Sequence, residues 1–257
     1  MTDTLENRAA LVTGAGRGIG RAIAIGLAHA GARVGLLART QTDLDDAAAE
    51  ITDAGGIAVV LAADVSDPTQ TGEALDRLVR ELGHVEVLVN NAAVVWPLGP
   101  TQDLDPEQVA AAIAINVIGA MTLTGRVLPA MIAAGWGRIV NVSAAIAEHP
   151  GMLVGINTYA TSKGALETHT LNLAAELAGT GVTANVYRPG TVDTAMQAYI
   201  RDQPREQIGA ALHDRFTTML NSGTLITPRA SADRLLARLP GPESGQIWDV
   251  TDPRPSS

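Results

Sequence analysis

A tyrosine and a lysine four residues apart, Tyr159 and Lys163, form the pair in this sequence with the clearest capacity for chemistry. They lie at the start of a helical pattern, so their side chains share one face of the helix. A free phenol has a pKa near ~10 and is a poor acid or base at neutral pH, but a nearby ammonium stabilises the phenolate and lowers that pKa. Such a tyrosine can exchange a proton with a carbonyl or alcohol oxygen while hydride moves to or from the carbon.

The lysine count supports this interpretation. Among the 18 Lys and Arg residues of the chain, Lys163 is the only lysine. A chain that otherwise uses arginine keeps lysine where a compact point charge is needed and a planar guanidinium would not fit. A surface pair without function is the alternative, because the spacing Y-x-x-x-K also arises by chance. The single lysine favours catalysis.

A second candidate site is a turn in which glycines alternate with other residues, at Gly14, Gly16, Gly18 and Gly20. The turn joins an apolar run ending at Val12 to a helical pattern, so its backbone N–H groups would face a dinucleotide pyrophosphate. The spacing over Thr13–Gly20 is T-G-x-x-x-G-x-G, because Ile19 stands where the fingerprint G-x-G-x-x-G has glycine. A purely structural turn is the alternative interpretation.

The end of the second apolar run bears on which dinucleotide binds. A carboxylate there would accept the ribose 2′-OH of NAD, whereas an arginine would pair with the 2′-phosphate of NADP. The sequence has Arg39-Thr40 with no carboxylate before Asp43, and Arg17 lies inside the glycine turn. These residues favour NADP(H) and leave NAD(H) possible. Two solvated arginines are the alternative.

The elements that must position these residues follow an alternating pattern. Strand-like runs lie at residues 8–12, 33–38, 57–62, 85–89, 138–142, 182–186 and 246–250. Helical patterns lie at residues 18–31, 43–53, 68–82, 105–134 and 157–178. This order predicts βαβ units and an α/β fold, a Rossmann-like doubly wound parallel sheet of about seven strands with helices on both faces. No linker or repeat divides the chain, so we expect one domain over 1–257, with an irregular stretch at 191–223 and a frayed tail at 251–257.

Composition excludes several classes of protein. The net charge is −9 without any basic block, which argues against binding to nucleic acid or to an anionic membrane surface. There are no cysteines, so disulfides and thiolate chemistry are excluded. The N-terminus does not have the pattern of a signal peptide, and no apolar run approaches the roughly 20 residues that span a bilayer. We therefore expect a soluble, cytoplasmic protein. No metal site is expected, because the five histidines show no ligand spacing: His29, His84, His149, His169 and His213.

Taken together, the motifs resemble the short-chain dehydrogenase/reductase superfamily, in its single-domain members of roughly 250 residues, over residues 8–250. Thr13–Gly20 matches the glycine turn of that family, and Asp64-Val65 matches its adenine-contacting acidic pair. Asn90-Asn91-Ala92-Ala93 is similar to its N-N-A-G segment, with alanine in place of the last glycine. The segment 189–194 is similar to its P-G-x-[VI]-x-T segment, which contacts the nicotinamide carboxamide. The cofactor-binding residues expected on these grounds are Gly14, Arg17, Gly18, Ile19, Gly20, Arg39, Thr40, Asp64, Val65, Asn90, Ala92, Tyr159, Lys163, Pro189, Gly190, Val192 and Thr194.

The resemblance also implies roles for the catalytic residues. Tyr159 and Lys163 match the family's Y-x-x-x-K pair, in which the lysine also holds the nicotinamide ribose. Asn116 is similar to the helix asparagine that holds a proton-relay water. The family's fifth strand usually ends in two serines, and the second of them orients the substrate oxygen, but this chain has Ser143-Ala144. Either Ser143 takes that role through a shifted backbone, or it is a strand-end serine bonded to backbone and the orienting hydroxyl is absent.

The predicted function is therefore an NADP(H)-dependent oxidoreductase that interconverts a ketone or aldehyde and an alcohol. The alternative is a dinucleotide-binding regulatory or scaffold protein with weak or no turnover. The stretch 191–223 corresponds to the family's lid over a small, partly apolar substrate, and the resemblance implies a homodimer or homotetramer built on the two long helices. Apolar side chains that would line the pocket, or would instead only pack helices together, are Trp96, Met152, Met196, Tyr199, Ile200 and Phe216.

Overall fold

Seven short segments form the strands of one parallel sheet in the computed structural model, which describes residues 4–253. The strands are β1 (Ala9–Thr13), β2 (Arg33–Ala38), β3 (Ile57–Ala62), β4 (Val87–Asn90), β5 (Gly137–Val142), β6 (Val182–Arg188) and β7 (Ile247–Asp249). Their order across the sheet is β3-β2-β1-β4-β5-β6-β7. β1, β4, β5 and β6 are buried along their whole length, as expected for strands covered on both faces.

Helices cover both faces of the sheet. They are α1 (Gly18–His29), α2 (Gln41–Asp53), α3 (Pro68–Leu82), α4 (Pro106–Ile113), α5 (Gly119–Ala134), α6 (Asn157–Glu176), α7 (Ala195–Arg201), α8 (Arg205–Ile208), α9 (Ala210–Asn221) and α10 (Pro228–Leu236). One core cluster contains Leu27 of α1, Leu44 of α2 and Leu235 of α10, while Leu78 of α3 and Leu123 of α5 belong to the cluster on the other face. The predicted doubly wound α/β fold is confirmed.

The long helical pattern at residues 105–134 is interrupted in the structure. Asp105 caps α4 by accepting a hydrogen bond from the Glu107 N–H at 3.0 Å. A π-helical turn at Ala114–Ile118 then separates α4 from α5. Turns of this kind occur often at functional sites, and this one contains Asn116.

The same stretch corrects the expectation that no apolar run of the chain approaches the length that spans a bilayer. Pro106–Ala134 is long and apolar enough to span a membrane by length and composition, with a mean hydropathy of 1.6 in its most apolar window. Half of that window is buried inside the protein, where Leu123 and Val127 pack in the core. A core helix satisfies the same criterion, so this stretch is only weak evidence for a membrane span.

The stretch 191–223 is mostly helical, contrary to the expected irregular structure. It contains α7, α8 and α9, which pack through Ile200, Ile208 and Phe216 in a third apolar cluster. The expected tail is also ordered at its start, because Arg238 donates a hydrogen bond to the Pro253 carbonyl at 2.6 Å. Residues 254–257 of that tail lie outside the described residues.

The order of the strands determines where a site can form. The chain winds outward from β1 to β3, then returns to place β4 on the other side of β1. At such a switch point the connections leave in opposite directions, which opens a crevice at the carboxyl ends of the two central strands. The glycine turn follows β1 at this edge, and Asn90 ends β4.

Candidate active site

A cavity of about 630 Å³ opens at the carboxyl edge of the sheet. The loops after β1, β2, β3 and β4 line one part of it, and the ends of β5 and β6, with α6 and α7, line the rest. The lining residues that sequence analysis predicted are Gly14, Arg17, Gly18, Ile19, Arg39, Thr40, Asp64, Val65, Ala92, Ser143, Tyr159, Lys163, Pro189 and Thr194. The structure therefore gathers most of the predicted site residues around one crevice.

The glycine turn depends on backbone conformations that favour glycine. Gly14 and Gly18 have φ values of 66° and 57°, in the left-handed region. The chain then enters α1 with Arg17 as its N-cap residue, and no side chain caps the first N–H groups of the helix. An uncapped helix N-terminus facing a cavity is suited to a phosphate, because the free N–H groups and the helix dipole both favour negative charge.

Gly20, a predicted cofactor-binding residue, is part of this turn but does not line the cavity. A Cβ atom there would lie 2.2 Å from the Gly14 carbonyl oxygen and 2.4 Å from Nδ2 of Asn91. The hydrogen atom of glycine thus lets α1 pack against the turn and against the loop after β4. Its role is to shape the site.

We expect Gly20→Ala to lower the free energy of unfolding by about 3 kcal/mol or more, because the added methyl group meets backbone that cannot move away. Gly151→Ala is a matched control, since a Cβ at Gly151 meets nothing within 4 Å and its effect should stay within about 0.5 kcal/mol. Urea unfolding monitored by circular dichroism measures both. Equal stability of the two variants would contradict the assigned role of Gly20.

The two asparagines after β4 have different environments. Asn90 is buried, and its Nδ2 donates to Asn141 Oδ1 at 2.8 Å and to Thr124 Oγ1 at 3.2 Å. Its side chain therefore faces the α5 side of the sheet and does not line the cavity. The neighbouring Asn91 does line the cavity, and its Nδ2 donates to the Thr13 carbonyl at 2.9 Å. Sequence analysis missed Asn91 as a site residue.

The far end of the cavity carries two exposed arginines. Arg39 follows β2 with 62% of its side chain exposed, and its nearest carboxylate is Asp64, at 3.9 Å. Arg17 is exposed in the glycine turn. Asp43, in the first turn of α2, also lines the cavity, and a Cβ at Gly16 would lie 2.7 Å from its Cβ atom. The cavity that holds the predicted arginines is therefore also lined by Asp43, a carboxylate that sequence analysis did not include in the site.

Tyr159 and Lys163 line the other end of the cavity from the first turns of α6. The Lys163 ammonium lies 5.6 Å from the centre of the Tyr159 ring and donates to the Val142 carbonyl at 2.7 Å. Burial lowers the pKa of Lys163 to about 8, although the Glu167 carboxylate acts in the opposite direction. Burial raises the pKa of the Tyr159 hydroxyl, opposite to the expected effect of the lysine. Desolvation of the phenolate thus outweighs the attraction of an ammonium whose hydrogen bond goes to the backbone.

Asn116 does not line this cavity; its side chain joins elements behind it. Its Nδ2 donates to the Val94 carbonyl at 2.8 Å and to Ser162 Oγ at 3.0 Å, and its Oδ1 accepts from the Val94 N–H at 2.8 Å. The side chain therefore ties the π-helical turn to the loop after β4 and to α6. Both of its N–H donors are used.

Ser143 follows β5 and lines the cavity together with Tyr159 and Lys163. Its Oγ is buried and has no hydrogen-bond partner among the described residues, so the interpretation of a serine bonded to backbone does not apply. Ala144 is half-buried and packs in the apolar cluster that includes Tyr159 and Met196. A buried hydroxyl without a partner costs about 1–3 kcal/mol, which a bound polar group would recover.

The segment after β6 contributes only part of its predicted set. Pro189 and Thr194 line the cavity, while Gly190 and Val192 do not. Val192 is buried in a bridge with Ile226, and a Cβ at Gly190 would lie 2.7 Å from a methyl of the Val250 side chain. These two residues join the segment to the C-terminal part of the chain.

The predicted apolar wall divides into two groups. Trp96, Met196 and Tyr199 line the cavity, whereas Ile200 and Phe216 are buried in the cluster that holds α7 and α9 together. The remaining nominee, Met152, accepts a hydrogen bond from Arg215 at 3.4 Å and does not line the cavity. The interpretation as pocket lining is therefore correct for Trp96, Met196 and Tyr199, and the interpretation as helix packing is correct for Ile200 and Phe216.

Comparison with known proteins agrees with the fold. The family model described as short chain dehydrogenase matches residues 8–205. A short chain dehydrogenase from Pseudocercospora fijiensis is 37% identical over 197 residues, which cover 76% of this chain and 62% of that protein. A chloroplastic NADPH-dependent aldehyde reductase-like protein of Arabidopsis thaliana is 36% identical, over 75% of each chain.

Solved structures give the same result. A variant of actinorhodin polyketide ketoreductase with NADPH superposes with a TM-score of 0.85 at 32% identity, over 97% of each chain. NAD⁺-bound xylitol dehydrogenase superposes with a TM-score of 0.85 at 25% identity, over 95% of this chain and 98% of that one. The fold and the matched motifs thus define a dinucleotide-dependent oxidoreductase of the α/β class. The chain belongs to the short-chain dehydrogenase/reductase family and is an NAD(P)-dependent enzyme of that family.

Proposed function

We propose that this enzyme uses NADP(H) to interconvert a neutral, partly apolar ketone or aldehyde and its alcohol. The observation that carries the proposal is the single crevice that Tyr159, Lys163 and the uncapped N-terminus of α1 share. A dinucleotide with its pyrophosphate at α1 would extend from Arg39 beyond β2 to Lys163 beside β5. β2 and β5 are three positions apart in the sheet, so the distance between them is about 14 Å. The residues present fit such a group.

Each group at the reacting end has a defined task in this proposal. The Tyr159 hydroxyl gives its proton to the carbonyl oxygen of the substrate, and takes it back in the reverse reaction. The bound dinucleotide supplies or accepts the hydride. The Lys163 ammonium holds the ribose and favours the phenolate left after proton transfer, an effect that must overcome the burial that raises the pKa of Tyr159. Since both N–H donors of the Asn116 amide are used, we assign any relay water to the backbone carbonyl of that residue.

The NADP(H) preference is proposed on the charge of the adenosine end. Arg17 and Arg39 are exposed there, and the nearest carboxylate to Arg39 is 3.9 Å away. An extra phosphate could therefore pair with both guanidinium groups. Asp43 and Asp64 lie nearby and would weaken, without cancelling, the attraction for a dianionic group.

The substrate is proposed to be neutral because the reacting end offers no free cation. Among the described residues that line the cavity, the cations other than Lys163 are Arg17 and Arg39, and both belong to the opposite end. Trp96, Met196 and Tyr199 provide apolar and aromatic surface instead. A carboxylate or phosphate on the substrate would thus be buried without a partner, which is costly.

NADPH absorbance, followed with a panel of ketones and aldehydes, tests this function. We expect consumption of NADPH with neutral aromatic or alicyclic ketones, and kcat/KM at least about tenfold lower for analogues that carry a carboxylate, because an unpaired buried charge costs more than about 1.4 kcal/mol. Tight binding of NADPH without turnover on any carbonyl would contradict the proposal. That result would favour the regulatory or scaffold protein.

Ser143 is proposed as the hydroxyl that orients the substrate oxygen. We expect Ser143→Ala to lower kcat by about 10- to 100-fold, because one hydrogen bond worth about 1–3 kcal/mol is lost in the transition state. Ala144→Ser restores a hydroxyl at the position typical of the family and should recover activity in the Ser143→Ala background. Steady-state kinetics of the two single variants and the double variant measure this. An unchanged kcat for Ser143→Ala would contradict the role.

Several further features of the protein are part of the proposal. We propose one domain with α7 to α9 as its lid, and a homodimer or homotetramer that covers α5 and α6. An exposed apolar stripe, formed by Ile118 at the end of the π-helical turn and by Met121 and Ile132 on α5, supports such an assembly, as does Leu171 on α6. A cytoplasmic location stays a prediction, since one relative is named as chloroplastic.

A further inference from the structure

Arg188, the last residue of β6, makes a buried ion pair that the proposed reaction does not use. Its Nε and Nη2 atoms each donate to a different oxygen of Glu167 at 2.9 Å, and 9% and 10% of the two side chains are exposed. Those hydrogen bonds raise the pKa of Arg188 above its usual value, so the guanidinium stays charged. The pair joins β6 to α6 by a two-point contact of fixed geometry.

A third group completes the arrangement. Arg188 Nη1 also donates to Glu148, a half-exposed residue in the loop between β5 and α6. Arg188 directly precedes Pro189, which lines the cavity, and the loop of Glu148 follows Ser143. One guanidinium therefore connects the three segments that bear Ser143, Lys163 and Pro189.

Glu167 lies one helical turn after Lys163 on the same side of α6. Its carboxylate is the charged group that acts on Lys163, raising the pKa that burial lowers. The other groups that face the ammonium are the Tyr159 ring on α6 and the Val142 carbonyl on β5. The electrostatic effect on Lys163 is therefore that of the Glu167 carboxylate, reduced by the positive charge of the Arg188 guanidinium bound to it.

A contribution to the stability of the folded protein is a weak explanation for a buried ion pair such as Arg188 with Glu167. Burying two charges costs about as much as their attraction returns, and apolar replacements of buried pairs are often neutral or stabilising. The chain has another part-buried pair, Arg8 with Glu86, at the amino edge of the sheet, far from the cavity. That pair provides a comparison in which an effect on stability is separated from an effect on Lys163.

We propose that Arg188 and Glu167 are positioning residues that set the charge and the orientation of the Lys163 ammonium, with Glu148 tying the loop after β5 to the same guanidinium. Glu167 keeps the buried lysine protonated near neutral pH. Arg188 limits that effect, so that the ammonium donates to the Val142 carbonyl beside Tyr159 and is not drawn to Glu167. The inference rests on the proposed role of Lys163 in the reaction.

The single lysine of the chain makes a direct test possible, because protein labelled with ¹³C at lysine Cε gives one NMR signal, that of Lys163. The purified full chain without added dinucleotide is titrated from mildly acidic to alkaline pH. We expect Glu167→Gln to move the midpoint down by about one pH unit, and Arg188→Gln to move it up by a similar amount, because they remove opposite charges. The double variant, which leaves no buried charge unpaired, removes both opposing effects, so its midpoint should lie between those of the single variants and near that of the wild type. Glu86→Gln should leave the midpoint unchanged.

The outcomes separate this inference from the proposed reaction. A midpoint that moves in the same direction in Glu167→Gln and Arg188→Gln, or in neither, overturns the inference whether or not the enzyme is active. If Arg188→Gln does not fold, a double variant whose midpoint equals that of Glu167→Gln overturns the inference, because removing Arg188 would then have no effect on Lys163. The NMR midpoints could move as expected while the alkaline limb of the plot of kcat against pH does not shift with them. That result would contradict the proposed role of Lys163 in the reaction. The ion pair of Arg188 and Glu167 would then affect Lys163 without affecting catalysis.

Discussion

Replacing Tyr159 with phenylalanine is expected to lower kcat for carbonyl reduction by about 10²- to 10⁴-fold, the usual contribution of a positioned general acid. The substitution removes one oxygen atom and keeps the ring, which lies beside Lys163 and packs in the cluster with Ala144 and Met196. NADPH affinity should change by less than about threefold, because the phosphate-binding end of the cavity is unaltered. Steady-state kinetics and fluorescence titration of NADPH measure the two effects.

Tyr199→Phe is the matched control, since Tyr199 also lines the cavity but is 39% exposed on α7. We expect its effect to fall mainly on KM for the substrate. If Tyr159→Phe kept wild-type turnover, Tyr159 would not be the proton donor. Equal losses in the two variants would indicate a general disturbance of the cavity.

Replacing Arg39 with alanine is expected to weaken NADPH binding by about 10- to 100-fold while NADH binding changes little. A hydrogen bond to a charged group is worth about 1.5–3 kcal/mol, and the 2′-phosphate exists only in NADPH. Arg39 is well suited to such a role, because it is largely exposed and its closest carboxylate is 3.9 Å away. Removing Arg17 as well should lower the affinity further. Isothermal titration with both dinucleotides measures the ratio.

Arg21→Ala is the control for this experiment, because Arg21 is an arginine of α1 that pairs with Glu50 outside the cavity. It should leave both affinities unchanged. A wild-type protein that binds NADH as tightly as NADPH would contradict the proposed preference. Asp43 and Asp64 would then be the residues to examine, since either carboxylate can accept hydrogen bonds from an unphosphorylated ribose.

The sequence was sufficient for the architecture because its signals are local. Buried parallel strands appear as short apolar runs, and amphipathic helices appear between them, so the sheet could be predicted strand by strand. The helices within 191–223 were not predicted because they pack through scattered residues such as Ile200 and Phe216 and two of the three are short. α10 was also missed, although Thr227 followed by Pro228 is a typical helix start.

The site was predicted less completely, because successive side chains at a strand end face opposite sides. Asn90 and Asn91 are neighbours of the same residue type, and the sequence alone does not decide which of them faces the crevice. In the structure Asn90 bonds with Asn141 on one side of the sheet, and Asn91 supports the glycine turn on the other. The close approach between Gly20 and Gly14 likewise depends on a tertiary contact.

Charge environment was the property least accessible from the sequence. The spacing of Tyr159 and Lys163 suggested that the lysine would lower the pKa of the tyrosine, but burial of the phenol opposes this. The partner of Glu167 could not be inferred either, because Arg188 is 21 residues away and meets it only when β6 lies beside α6. A pair of residues this far apart in the sequence can be identified only when the fold is known.

The transfer of deuterium from NADPH labelled at C4 of the nicotinamide to a neutral aromatic ketone is the most direct test of the central claim. Mass spectrometry of the alcohol formed by the wild-type enzyme should show one deuterium on the carbinol carbon, and Tyr159→Phe should form almost no alcohol. Alcohol without deuterium from either labelled face of the cofactor, or no alcohol from any neutral ketone or aldehyde while NADPH binds tightly, would contradict the claim that this crevice carries out hydride transfer to a carbonyl.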